Sequence, residues 1–221
     1  LLVFYMIKGF LKYNDEAAYS VYGAYTALVY ATPFFGGMLA DKLIGARRAV
    51  IFGGALMAAG HLMMMWETQI GFFGALSLLI LGNGFFKPNI STIVGSLYPD
   101  ASPKRDGGFT IFYMGINLGA AMSPLLCGYV GETYGWHLGF GLATIGMLIG
   151  LVVFVAPTIV SQALIMLGAL GTAGSLFYMW ESPYQMAVNV FVGVALVVAA
   201  VVAVMALAKG GLPTHAGQVK G

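Results

Sequence analysis

The stretch GFFGALSLLILGNGFFKPNISTIVGSLY, residues 71–98, is uncharged throughout except for one ammonium group, Lys87. Crossing the hydrocarbon core of a bilayer takes about 20 apolar residues in a helix, so this run predicts a membrane span with a lysine deep inside it. Insertion scales place a central lysine at about +2.5 to 3.5 kcal/mol, and residues of that kind face a bundle interior or a watery cavity, where they mark a transport path. The plainer alternatives are a lysine that snorkels to the interface or one paired with a carboxylate on another helix. Snorkelling is the weaker reading, because about twelve residues, or roughly 18 Å of helix, separate Lys87 from Pro99. Pro88 removes a backbone donor and so frees a carbonyl one turn earlier, as in the interrupted helices that line transporter sites.

Outward from this span the chain keeps the same texture. Of its 221 residues 60% are hydrophobic and 8% charged, with a mean hydropathy of +0.89, against roughly 25% charge in soluble domains. A water-soluble core is excluded. The net charge of +2 is too small to point to nucleic acid. Thirty-two glycines fit helices in close contact within a bilayer. Cys127 is the only cysteine, so neither an intramolecular disulfide nor a multi-thiolate zinc site can form.

The charged residues cut the chain into one partial span, 1–12, whose beginning would precede Leu1, and seven complete ones at 17–43, 50–66, 71–98, 108–134, 137–155, 159–180 and 186–207. The last two carry no charge and leave little room for chemistry. Lys and Arg mark cytoplasmic turns: Lys42, Arg47 and Arg48 after the second span, Lys104 and Arg105 after the fourth, Lys209 and Lys220 after the last. The opposite connections carry Asp15, Glu16, Glu67, Glu132 and Glu181. The expected protein is a multi-pass inner (plasma) membrane protein with the loops around Gly45 and Lys104 and the carboxy-terminal tail in the cytoplasm. One joint is odd: the sixth span ends in Val155-Ala156-Pro157-Thr158 without a basic residue or a loop of ordinary length. Residues are expected to be missing between Phe154 and Ile159, which the gene sequence tests.

Three further segments carry information. GGMLADKLIGARR, residues 36–48, closes the second span and opens the third. Glycines such as Gly37 allow close contact, Gly45 can supply a left-handed turn at the helix end, and Asp41 can pair with an arginine or a helix N-terminus. Inside-positive topology alone explains Arg47 and Arg48 but not Asp41 or the glycine spacing. This arrangement resembles the loop between helices two and three of the major facilitator superfamily. LGNGFFKPNIST at 81–92 and FYMGINLGA at 112–120 resemble signature segments of the proton-dependent oligopeptide transporter family, and GAYTALVYATP at 23–33 and RDGGF at 105–109 fit the same family. The resemblance covers essentially all of 1–155. The last two spans resemble the extra helix pair that bacterial members carry between their two six-helix halves.

That resemblance implies an all-α polytopic fold: an amino-terminal six-helix bundle of the superfamily over 1–156, with its first helix truncated, then two additional transmembrane helices and a tail over 157–221. It implies a carrier of dipeptides and tripeptides driven by protons, with no other cofactor and with the carboxy-terminal half as partner. Lys87 would serve the peptide carboxylate or a charge pair with the opposite half, and Tyr30 and Asn117 would contact substrate. The family's helix-one motif, Glu-x-x-Glu-Arg, would precede Leu1. Animal members place a histidine on the second span where this sequence has Gly23. On their own chemistry Tyr30 is more often a packing or interface residue and Asn117 an interhelical hydrogen bond. His61 reads as a satisfied structural histidine rather than a proton carrier. Gly146 and Gly150 read as a close-packing ridge, and the glycosylation pattern at Asn89 lies inside a span, out of reach of a transferase. An anion carrier of the same fold remains the alternative, since Lys87 needs only a negative group. A membrane enzyme would need a metal or nucleophile constellation, and the spans contain no His-Glu-x-x-His, second cysteine or His and Asp cluster. A purely structural membrane protein would leave the intramembrane lysine unexplained.

Overall fold

A computed structural model describes residues 2–99, 102–180 and 182–208, without the side chain of Ala206. The expectations for Leu1, Glu181, Lys209, Lys220 and the tail lie outside these residues. Helices follow one another as α1 (Leu2–Lys8), α2 (Asp15–Leu39, running into a π turn at Ala40–Ile44), α3 (Ala46–Met63), α4 (Gln69–Ser96), α5 (Arg105–Ser123), a π turn at Pro124–Gly128, α6 (Tyr129–Tyr134), α7 (Trp136–Val155), α8 (Thr158–Tyr178) and α9 (Pro183–Ala208). Among the described residues five segments are long and apolar enough to cross a membrane: Gln69–Ser96, Arg105–Tyr134, Trp136–Val155, Thr158–Tyr178 and Pro183–Met205.

Helix ends follow local chemistry. Asn14 caps α2 by accepting from the Ala17 amide at 2.8 Å, with Asp15 and Glu16 against the positive end of the helix. Thr68 caps α4 in the same way through Gly71 N at 3.0 Å. The third helix begins at Ala46, not near Val50, so Arg47 and Arg48 sit in its first turn and not in a loop. The fifth span bends through a π turn at Pro124, whose missing N–H cannot serve the α-helical ladder.

Two apolar clusters join α1 to α4 and α7. At one end Tyr5, Met6, Ala18, Met64, Phe72, Leu76 and Phe140 pack together, with the Tyr5 ring 4.9 Å from Phe140 and 5.7 Å from Trp136. At the other end Ala46, Val50 and Ile93 meet Phe86 and Phe154. Between these ends α4 is held by backbone approach: a Cβ on Gly53 would lie 2.6 Å from the Gly82 carbonyl, and one on Gly36 would collide with the Gly84 carbonyl. Without a hydrophobic drive inside the bilayer, such close van der Waals contact is what binds helices.

By contrast α5 has no buried residue. Gly146 and Gly150, expected to form a packing ridge, face open space. The final hairpin is tied at both ends: Gln162 Nε2 donates to Val204 O at 3.1 Å, and buried Asn189 Nδ2 donates to Leu176 O at 3.0 Å and Met179 O at 2.6 Å, closing the last turn of α8. At the two-residue joint, Ser161 Oγ donates to Val153 O at 2.8 Å. Asn189→Leu would strip the Leu176 and Met179 carbonyls, at the end of α8 and just past it, of a donor but also remove a buried Oδ1 that has no partner, so a net loss of about 1 kcal/mol is expected. Thermal unfolding in detergent should show it as a Tm drop of a few degrees, and an unchanged Tm would contradict the tie.

Candidate functional site

The α2–α4 crossing builds the candidate site. Lys87 leaves the exposed side of α4, and its Nζ lies 4.7 Å from the centre of the Tyr30 ring on α2. Tyr30 is 70% exposed, so no helix among the described residues covers the pair. The sequence singled out both residues, and the structure brings them together as an ammonium over an aromatic face. Among the described residues Lys87 has no carboxylate within salt-bridge distance. Pro88 leaves the Gly84 carbonyl without its helical donor. That carbonyl is where Gly36 packs, and Gly37 rests on the Pro88 ring, with its would-be Cβ 3.5 Å from Pro88 Cβ.

Asn117 is not part of this pair. It lies exposed on α5 and donates to Tyr113 O, one turn back, at 2.8 Å. No contact joins it to Lys87 or Tyr30. Along α4 beyond Lys87, a groove of about 620 Å³ opens between α4 and α5, lined by Ser91, Thr92, Ser96, Tyr98, Arg105 and Phe109 among others. Of these, Ser91 lies one turn beyond Lys87 on the same side of α4, its Oγ donating to Lys87 O at 3.3 Å. Gly23 faces open space.

The turn from α2 to α3 has the glycine where the sequence asked for one, in a different conformation. Gly45 has φ 80° and ψ 149°, not the helical left-handed turn but an extended positive-φ state that only glycine enters readily. Its N–H closes the π turn on Ala40 O at 2.8 Å, and its carbonyl opens α3 through Ala49 N at 3.1 Å. Asp41 is exposed and, among the described residues, makes no ion pair with Arg47, Arg48 or any other cation. The expected intramolecular partner of Asp41 is therefore absent from this chain's described part.

His61 departs from expectation: its Nδ1 is buried without a hydrogen-bond partner. Sequence reasoning missed two residues at the crossing. Thr32 Oγ1 lies 3.1 Å from Ile80 O on α4 and 2.9 Å from Leu28 O. A hydroxyl next to Pro33 in an apolar helix was the available signal. Asn89, 1% exposed, donates to Phe85 O at 2.8 Å and stiffens the turn after Lys87.

Comparison with known proteins sets this site in context. The sequence model described as the POT family matches residues 47–164, more than half of the chain. The chain is 42% identical over 70% of its length to the peptide transporter YePEPT of Yersinia enterocolitica, and 46% identical over 65% to a di-/tripeptide transporter of Lactococcus lactis. It spans 32% and 28% of those two proteins. A crystal structure of a peptide transporter POT variant with sulfate superimposes with a TM-score of 0.67 at 38% identity, covering 94% of this chain and 41% of the other. With its proline-containing α4, its glycine-braced crossing and these matches, the chain belongs to the POT family, a family of membrane transporters.

Proposed function

We propose that the carrier containing this chain imports di- and tripeptides together with protons by alternating access, this chain forming one wall of the cavity and a second half the other. The observation that carries the reading is Lys87 itself. An ammonium held over Tyr30 at 4.7 Å, with no carboxylate within salt-bridge distance among the described residues, is a ready partner for a peptide carboxylate or for an acid of the opposite half. Asn117, exposed on α5, supplies amide groups for the peptide backbone, and the α4–α5 groove is its way to the cytoplasm. Asp41, Arg47, Arg48, Gly37 and Gly45 serve the closing of the cytoplasmic end, and Pro88 lets α4 flex there. The transport bundle ends at residue 156, and α8 and α9 lie outside the transport core. Protons are the only coupling ion, no cofactor takes part, and the protein is not an enzyme. The supporting experiment is uptake by the full-length carrier in proteoliposomes. Labelled dialanine should enter and be displaced by unlabelled dipeptides but not by simple anions. Uptake of an anion that dipeptides fail to inhibit would replace this reading with the anion carrier.

Sidedness belongs to the same proposal, with the loops around Gly45 and Lys104 in the cytoplasm and Glu132 outside. Ala46 is buried, so Leu43, 69% exposed, is the better reporter. In a Cys127→Ala background, cysteines at Leu43 and Glu132 should react with an impermeant maleimide from opposite faces of the membrane. Labelling from one face would overturn the topology.

A further inference from the structure

We propose that Thr32 is a positioning residue: by tying α2 to α4 it holds the Tyr30 ring over the Lys87 ammonium. The inference rests on the reading of that pair as the group that meets substrate. A threonine in any helix can donate to the carbonyl four residues back, as Thr32 does to Leu28 O at 2.9 Å. The same single proton is shared with Ile80 O at 3.1 Å, and this contact is different because it spans two helices. Ile80 O has a second lone pair beyond its helical bond, so it can accept from both. The approach is possible only because Gly84 is bare: a Cβ there would lie 2.9 Å from Thr32 Cβ and 3.1 Å from its Oγ1.

Both helices run on through a proline at this level. Pro33, next to Thr32, deprives the Val29 carbonyl of its helical donor, and Pro88 does the same to Gly84. Each backbone ladder is therefore one hydrogen bond short in the turn that carries Tyr30 or Lys87. The tie between the helices reinforces both. Thr32 sits two residues from Tyr30 and reaches α4 one turn before Gly84, so it sets how α2 is rotated against α4. That rotation decides whether the Tyr30 ring lies at 4.7 Å from Lys87 Nζ or away from it.

The test uses the full-length carrier with Thr32→Val, which keeps the shape and drops the hydroxyl, and Thr32→Ser, which keeps the donor. Dialanine affinity is measured in detergent for each, alone and with Tyr30→Leu. Thr32→Val should weaken binding about three- to tenfold, the range of one interhelical hydrogen bond. Thr32→Ser should restore it to within about twofold, and in the Tyr30→Leu background Thr32→Val should have no further effect. A second arm needs no substrate. Cysteines replacing Tyr30 and Lys87 in a Cys127→Ala background should be bridged by a bifunctional methanethiosulfonate, more slowly with Thr32→Val and at the original rate with Thr32→Ser. If Thr32→Val does not fold, Thr32→Ala serves both arms. Undiminished bridging, or a Thr32→Val effect that persists at full size with Tyr30→Leu, would overturn the inference. If the unmodified carrier binds no dialanine, the peptide reading fails and the bridging arm alone decides the tie.

Discussion

Lys87→Ala is expected to abolish proton-driven accumulation of a labelled dipeptide in proteoliposomes. A central lysine costs about 2.5 to 3.5 kcal/mol to place in the bilayer. Its contact with Tyr30 contributes about 0.5 kcal/mol if wet and about 2 kcal/mol if desolvated. The aromatic ring therefore offsets only part of the cost. The remainder calls for an anion, and no carboxylate of the described chain stands within reach of Nζ. A substrate carboxylate or an acid of the opposite half fills that role, and either needs the charge. Passive exchange of peptide should survive Lys87→Ala if the lysine serves coupling more than binding. Lys87→Arg should also be impaired, because a planar, bulkier guanidinium does not replace a compact ammonium beside Pro88. Uptake is read under an acid-outside gradient and corrected for the amount of folded protein. Accumulation by Lys87→Ala at the unmodified level would show that the lysine is a bystander.

Gly36→Leu is expected to deplete folded carrier. A Cβ at Gly36 already collides with the Gly84 carbonyl, and a leucine would force α2 away from α4. Overpacking of this kind costs about 1 to 3 kcal/mol. The separation also gives up the close α2–α4 backbone contact at Gly84 that holds the two helices together. Gly146→Leu is the control, since Gly146 faces open space. Size-exclusion profiles and Tm in detergent should show most of the Gly36→Leu protein aggregated and Gly146→Leu close to unmodified. Equal losses at both positions would mean that glycine content, and not this crossing, sets stability.

Much of the architecture was legible before any coordinates. Uncharged runs between charged turns placed the span at 71–98 against Gln69–Ser96, and 137–155 against Trp136–Val155. The start of α3 was not legible from charge, because Arg47 and Arg48 lie inside a helix that Gly45 opens. The fifth span read as one helix, and its π turn at Pro124 is a matter of which carbonyl each N–H selects. At the site, Lys87 announced itself through the energy of its placement. Its pairing with Tyr30 did not, since residues 57 positions apart meet only through the angle at which two helices cross. Thr32, which braces that crossing, looks like any hydroxyl bonded to its own helix until α4 is beside it. Asn117 was singled out through the family resemblance and not by its own chemistry, and on α5 it bonds only its own helix, at Tyr113 O.

The central claim is that peptide and proton cross together. A pH-sensitive dye trapped inside proteoliposomes of the full-length carrier measures this directly when dialanine is added outside at equal pH on both faces. The account predicts acidification of the interior that follows dialanine uptake, is blocked by competing dipeptides and is absent with Lys87→Ala. Dialanine entry with no change of internal pH would contradict it.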